Sequence, residues 1–310
     1  MNSTWNHRLT SWLFRSAACW LGLLLLMGCA SLRPRSPVER DVLLARQLSQ
    51  QGLDALDRGQ IKQAEDHFSE ALDRCPANIN ARCHLADCLW KRGESLNAIE
   101  QLSDALAISE HDDTQILIRL GQMKFDVGEN AEAQKLVHRA LQASPEAPAA
   151  WQLDGAIKHK RSDWPQALAS YQRALSYQPN DAETQLAVAE IYADLQRPGR
   201  TLSTLDRLEQ RVVPVQHRQR MLTLKGHALH GLSRYEEASD ALLAAIEAGE
   251  PSPELLASLA ETQFEAGQYQ QARQTIRHAL PVVGPEQTAL LQRLMTKIAA
   301  NEHAGGNRVR

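Results

Sequence analysis

The stretch Ala45–Asn78, ARQLSQQGLDALDRGQIKQAEDHFSEALDRCPAN, holds two runs of helix-forming residues separated by Gly59 and closed by Pro76. Within it Ala64, Phe68 and Ala71 are spaced by four and three, which places them on one face of a helix. A glycine between two such runs, followed by a proline, is the punctuation of a helical hairpin. The same spacing and punctuation recur along most of the chain that follows.

A small residue returns at Gly52, Ala86, Gly121, Gly155, Ala189, Gly226 and Ala260, at intervals of 34, 35, 34, 34, 37 and 34. Twelve residues after each stands Ala64, Ala98, Ala133, Ala167, Thr201, Ala238 or Ala272. Four further on comes a large apolar residue: Phe68, Leu102, Val137, Tyr171, Leu205, Leu242 or Ile276. Three more bring Ala71, Ala105, Ala140, Ala174, Leu208, Ala245 or Ala279. Small residues let two helix backbones approach, and the large one fills the space beside them. Seven hairpins in one phase are predicted at 45–78, 79–112, 114–147, 148–181, 182–215, 219–252 and 253–286.

The fourth copy, with Trp151, Gly155, Ala167, Tyr171, Ala174 and Pro179, fills nearly every slot of a known pattern. It resembles the tetratricopeptide repeat, a 34-residue helix-turn-helix unit with a fixed set of small, aromatic and proline positions. The resemblance implies an all-α fold, a right-handed α-α superhelix of about seven hairpins in which each repeat is stabilised by its neighbours. A lead-in helix is expected after Ser36-Pro37, with the solenoid running over 38–301. A capping helix is expected at 286–301 through Leu290, Leu291, Leu294 and Ile298, and a flexible tail at 302–310. The first copy departs from the pattern at Gln51 and Ala55, which suits a weak repeat that leans on the lead-in turns.

The fifth copy is irregular. Arg197-Pro198-Gly199-Arg200 stands where a turn glycine is usual, Thr201 and Leu208 replace alanine, and Val212-Val213-Pro214-Val215 lies in the longest interval. Two readings are open: drift in a tolerant array, or a hinge between four repeats before it and two after.

Upstream of the repeats, residues 1–28 contain no Asp or Glu, carry Arg8 and Arg15, and end in an apolar run shorter than the ~20 residues that span a bilayer. The junction Leu26-Met27-Gly28-Cys29-Ala30 resembles the bacterial lipoprotein signal. That resemblance implies cleavage after residue 28 and lipidation of Cys29, with 29–37 as a short tether. Acyl chains there would anchor the protein durably. At ~3.3–3.6 Å per residue the tether keeps the folded part within about 30 Å of the lipid. Ala30 is similar to the outer-membrane sorting pattern of enteric bacteria, facing the periplasm.

A net charge of −3, made more acidic by removal of Arg8 and Arg15, and the absence of a basic stripe argue against nucleic acid as a partner. Of five cysteines, Cys75, Cys83 and Cys88 lie in the repeats. Cys83 and Cys88, five apart on one helix, point to different faces, which argues against both a disulfide and a metal site with His84. No phosphate loop, nucleophile elbow or zincin pattern occurs, so neither catalytic residues nor a cofactor are expected.

Family members usually hold a partner protein segment in the concave groove lined by the first helix of each repeat. Carried over by slot, that groove takes Ser49, Leu53 and Leu56; Cys83, Asp87 and Trp90; Ile118, Gln122 and Phe125; and Gln152 and His159. It continues with Glu183, Glu190 and Asp194; Thr223, His227 and His230; and Glu254, Glu261, Phe264 and Glu265. Leu56, Trp90 and Phe125 are either anchors for a partner or ordinary packing between repeats. The carboxylate clamp of one chaperone-binding subclass is absent, because its asparagine slots hold Leu53, Asp87, Gln122, Ala156, Glu190, His227 and Glu261. The resulting expectation is a non-enzymatic adaptor, similar to lipid-anchored repeat proteins that help build pili, secretins or cell-wall machines. The alternative is a metal-binding or enzyme-associated regulatory subunit using His227 and His230 with Glu190 and Asp194.

Overall fold

The computed structural model describes residues 36–109, 112–210 and 213–306. The signal segment, Cys29 and its tether up to residue 35, Val212 and the last four residues of the tail lie outside the described residues. Among the described residues there are fifteen helices and no strand. The chain divides into two compact units, one ending at Ser109 and the other beginning at Glu110. Among the described residues no helix is long and apolar enough to cross a membrane.

The first unit consists of α1 (Pro37–Asp57), α2 (Ile61–Arg74), α3 (Ile79–Lys91) and α4 (Ser95–Ile108). A reciprocal capping box starts α1: Ser36 Oγ accepts from the Glu39 N–H at 3.1 Å, and Glu39 accepts from the Ser36 N–H at 3.0 Å. Pro37, whose missing N–H costs nothing at a helix start, follows it. The ring of Phe68 is fully buried and would lie 2.6 Å from a Cβ added at Gly52, so the first small slot admits glycine alone. On its other side Phe68 stacks on His84 at 5.3 Å between centroids. An ion pair between Arg92 and Glu65 ties the second hairpin back to the first. Cys83 and Cys88 are buried and Cys75 half-buried, and burial pushes the Cys88 thiol up to about 11.

The second unit holds α5 (Thr114–Asp126), α6 (Asn130–Ala143), α7 (Pro148–Lys160), α8 (Trp164–Tyr177), α9 (Ala182–Asp194) and α10 (Pro198–Glu209). It continues with α11 (Val215–Gly231), α12 (Tyr235–Glu247), α13 (Pro253–Glu265), α14 (Tyr269–Ala279) and α15 (Pro285–Gly306). Asp113, Asp163, Asp181 and Ser252 each cap a helix by accepting a backbone N–H in its first turn. Turns inside the hairpins need one residue in the left-handed region. Gly128 and Gly267 supply it in α5–α6 and α13–α14, whereas Ser162, Gln196 and Ser233 adopt it at φ 59°, 52° and 59°.

The fifth hairpin is therefore more regular than its sequence suggests. Gln196 makes the same turn as a glycine, and Pro198 opens α10. Thr201 and Leu208 are buried, with the Thr201 hydroxyl donating to the Arg197 carbonyl at 3.3 Å. One apolar cluster joins Ala189, Leu205, Leu208, Met221, Leu242 and Leu259 across hairpins five, six and seven. The chain thus divides into units at Ser109 and not at this hairpin. The extra residues of the long interval lengthen α11 to 17 residues.

The last helix buries Leu291, Leu294 and Ile298 against Ala257, Ala260, Ala272, Ile276 and Ala279. Two features of the sequence reading are corrected here. Leu290 is 37% exposed on the outer side of the helix, and α15 continues past Asn301 to Gly306 instead of giving way to a tail at 302. The physical reason is that no helix breaker intervenes before Gly305.

Candidate functional site

Three successive first helices, α5, α7 and α9, together with Tyr171 of α8, surround a cleft of about 460 Å³. One wall is the face of α5 that carries Ile118, Gln122 and Phe125 at spacings of four and three, with Arg119 beside them. The floor comes from α7 through Ala149, Gln152, Leu153 and Ala156 and from the ring of Tyr171. Glu183 and Ala187 of α9 form the opposite wall. Small side chains at Ala149, Ala156 and Ala187 leave the volume open.

Phe125 is partly packed and partly open to the cleft. It packs on the Ala133, Val137, Leu153 and Ile157 cluster, and it also lines the cleft. The Lys160 ammonium lies 4.7 Å from its ring centroid, within cation–π range. Tyr171 is 3% exposed and burial pushes its hydroxyl up, so it stays neutral.

The α9 wall is braced by charge. Arg220 of α11 donates to Glu190 through Nε at 2.5 Å and Nη2 at 2.6 Å, and to Glu183 through Nη1 at 2.6 Å. His217 Nδ1 lies 3.2 Å from the other Glu183 oxygen. The hydrogen bonds to Glu190 outweigh desolvation and, with the one to Glu183, push the Arg220 guanidinium up. Next to this network His159 Nε2 lies 2.7 Å from Asp194 Oδ2, joining α7 to α9.

Of the residues anticipated from sequence, Ile118, Gln122, Phe125, Gln152 and Glu183 are brought together in the cleft. His159, Glu190 and Asp194 are engaged in the bracing pairs beside it. Leu53, Leu56, Asp87 and Trp90 are half-buried in the first unit, where His84 Nδ1 and Asp87 Oδ2 stand 4.0 Å apart. Phe264 is taken up at the far end by Tyr269, 5.6 Å between centroids, and by Lys297 at 5.7 Å, while Glu261 on the same helix is half-buried.

The alternative metal site loses its ligand set. Glu190 is held by Arg220 and Asp194 by His159, and His230 Nδ1 lies 2.9 Å from the Thr262 hydroxyl. His227 is solvent-exposed. Among the described residues no group of three or more His, Cys, Asp or Glu is placed to hold an ion.

Sequence reading missed Arg119, Ala149, Ala187, Arg220 and His217. For Arg220 a signal was present, because it occupies the slot held by Glu183 and Glu254 in the neighbouring hairpins. The alternation Glu, Arg, Glu at one slot predicts pairing between adjacent repeats.

Repeated helical hairpins that share small-to-large crossings define a scaffold class whose members generally engage other proteins. The chain belongs to the tetratricopeptide repeat family, whose pattern it matches over residues 49–113, 160–211 and 223–284. Among solved structures it is similar to a tetratricopeptide repeat protein from Parabacteroides merdae, with 15% identity, 82% of this chain and 99% of that chain covered, and a TM-score of 0.61. It is also similar to PilF of Pseudomonas aeruginosa, at 20% identity, 73% and 99% coverage and a TM-score of 0.61. PilW, described as a widely conserved type IV pilus biogenesis factor, aligns at 20% identity, 66% and 95% coverage and a TM-score of 0.59. At these identities the likeness is one of fold. No curated protein matches the sequence.

Proposed function

We propose that this chain is a lipid-anchored, non-enzymatic adaptor of the bacterial cell envelope. It holds a segment of a partner protein against the first helices of its repeats while an envelope complex such as a pilus, secretin or cell-wall machine is assembled. The observation that carries this reading is the cleft between α5, α7 and α9, which offers Phe125 and Ile118 beside polar Gln122, Gln152 and Glu183. Apolar anchors beside a few oriented polar groups are what a protein-segment site requires. The sequence around Leu26-Met27-Gly28-Cys29 supplies the anchor, and Ala30 favours the outer membrane.

Crosslinked capture from the native envelope tests the site. Phe125→Ala should abolish recovery of the specific partner while far-ultraviolet circular dichroism stays unchanged, with Trp90→Ala as the companion variant in the first unit. Unchanged capture by both variants would overturn the placement of the site. Metabolic labelling tests the anchor: Cys29→Ser should leave the chain uncleaved and free of labelled lipid.

A further inference from the structure

Helix α9 borders two separate hollows. Glu183 and Ala187 line the cleft, whereas Gln185 and Val188 stand on the other side of the helix and line a second hollow of about 210 Å³. Leu175 and Pro179 from the fourth hairpin and Thr204 and Arg207 of α10 complete it. None of these six residues lines the cleft.

One slot opens this space. Four residues before the small position of the first helix, the fourth hairpin carries Trp151 and the fifth carries Gln185. Both side chains make the same bond: Trp151 Nε1 donates to the Pro145 carbonyl at 2.8 Å, and Gln185 Nε2 donates to the Pro179 carbonyl at 2.7 Å. Gln185 reproduces the bond without the bulk of an indole, which leaves room beside half-buried Leu175 and buried Val188.

The rim carries a cation whose slot is ion-paired in other hairpins. Eighteen residues past Ala86, Gly121 and Ala189 stand Asp104, Arg139 and Arg207. Asp104 pairs with Arg82 at 3.0 Å, and Arg139 grips both oxygens of Asp112 at 2.5 and 3.2 Å. In the fifth hairpin the positions equivalent to Arg82 and Asp112 hold the uncharged Gln185 and Asn180. Arg207 is exposed, and its Nε donates to the Ser203 carbonyl at 3.3 Å. No carboxylate among the described residues pairs with it, so the two terminal nitrogens of its guanidinium remain open to an incoming acceptor.

We propose that this hollow binds an aliphatic carboxylate about the size of one residue. A branched apolar group fits between Leu175 and Val188, and the carboxylate takes the place at Arg207 that Asp112 takes at Arg139. A guanidinium fork matches a carboxylate in shape as well as charge. Gln185 Oε1 faces the same space, with its amide nitrogen already engaged, and accepts an N–H from the ligand. The volume is below the ~300 Å³ at which sites for larger ligands begin, so the apolar group and the carboxylate must belong to one residue-sized unit. A free acid and the last residue of a chain share this chemistry. The site is independent of the adaptor reading, since it uses none of the cleft residues.

NMR titration of the isotope-labelled mature chain tests this, following the side-chain N–H signals of Arg207 and Gln185. Four probes are used: N-acetyl-leucine, N-acetyl-leucinamide, N-acetylglycine and the peptide Ser-Gly-Ser-Ala-Leu with a free carboxyl end. N-acetyl-leucine should give saturable shifts at both signals and bind at least about tenfold tighter than the amide, which lacks the charge, and than N-acetylglycine, which lacks the apolar group. Arg207→Gln should erase the preference for acid over amide, and Arg207→Lys should restore part of it. Gln185→Trp, which copies the fourth hairpin, should abolish binding; if it fails to fold, the exposed Arg207 variants carry the test.

Equal binding of acid and amide, a preference for the acid that survives Arg207→Gln, or no saturable shift with any probe would each overturn the proposal. Equal affinity for N-acetyl-leucine and the peptide would support it with a free acid as a sufficient ligand, and binding of the peptide alone would support it with a chain end as the ligand. Capture of a partner through Phe125 is read separately, so loss of either site leaves the other standing.

Discussion

Replacing Gly155 with alanine should destabilise the second unit, although alanine is the better helix former. In an unconstrained helix interior the change would stabilise by about 0.5–1 kcal/mol. Here the new Cβ would stand 2.7 Å from both Cδ1 and Cε1 of Tyr171 and 3.0 Å from its Cγ. The obstructing atoms belong to a rigid ring that is 3% exposed, so neither ring nor helix can yield without disturbing the cluster around them. Overpacking of this kind costs about 1–3 kcal/mol. The net expectation is a loss of about 0.5–2 kcal/mol. Elsewhere the same chain pairs alanine with an aliphatic residue at these slots, as in Ala189 with Leu205, which share one cluster. The double variant Gly155→Ala/Tyr171→Leu should therefore remove most of the penalty and give a coupling of about 1–2 kcal/mol in a double-mutant cycle. Urea unfolding followed by circular dichroism measures all four corners. A neutral or stabilising Gly155→Ala in the parent chain, or the same cost in both backgrounds, would refute the reasoning.

The buried carboxylate of Asp154 accepts from Lys158 at 2.6 Å, Ser170 at 2.5 Å and Gln134 at 2.9 Å. Burial pushes this carboxyl up, but the three hydrogen bonds and the Lys158 charge outweigh it and hold it below its ordinary value of 3.8. Its stabilisation is therefore present above pH 3.8 and lost as pH falls through the lower folded-state value, and Asp154→Asn should remove that acid limb from a plot of stability against pH. Asp154→Ala should cost about 2–3 kcal/mol at neutral pH, less than for a fully sealed pair because Lys158 keeps contact with water. At the hairpin turns, Gln196→Gly and Ser233→Gly relieve left-handed strain of the order of 1 kcal/mol. Each should raise the thermal midpoint in calorimetry, whereas Ser162→Ala, which keeps the strain and gains nothing, should not.

Much of the fold was legible because its determinants are local and repeated. Spacings of four and three along each second helix, turn glycines, capping residues and closing prolines lie within one hairpin, and seven copies in phase make the pattern hard to mistake. Phe68, Leu102, Val137, Tyr171, Leu205, Leu242 and Ile276 were placed in the core on that ground, and all are buried. The outlook was poorer wherever burial depends on a neighbour. Nothing in the sequence marks Asp154 as buried; Lys158 and Ser170 from the same hairpin and Gln134 from the preceding one satisfy it in the fold. Leu290 reads as core yet faces out, because the register of a terminal helix is set by the one surface available to it.

The sequence by itself determined the hairpin period and the all-α class, since an amphipathic helix pair carries that information within some 34 residues. Only the tertiary structure decided which side chains surround the cleft. A hollow needs Ala149, Ala156 and Ala187 to be small at the same place, and a charged wall needs Arg220 to reach Glu183 and Glu190 from the next hairpin. These relations join residues from separate hairpins, and their meaning is set by distance in space, which helical periodicity along the chain does not encode.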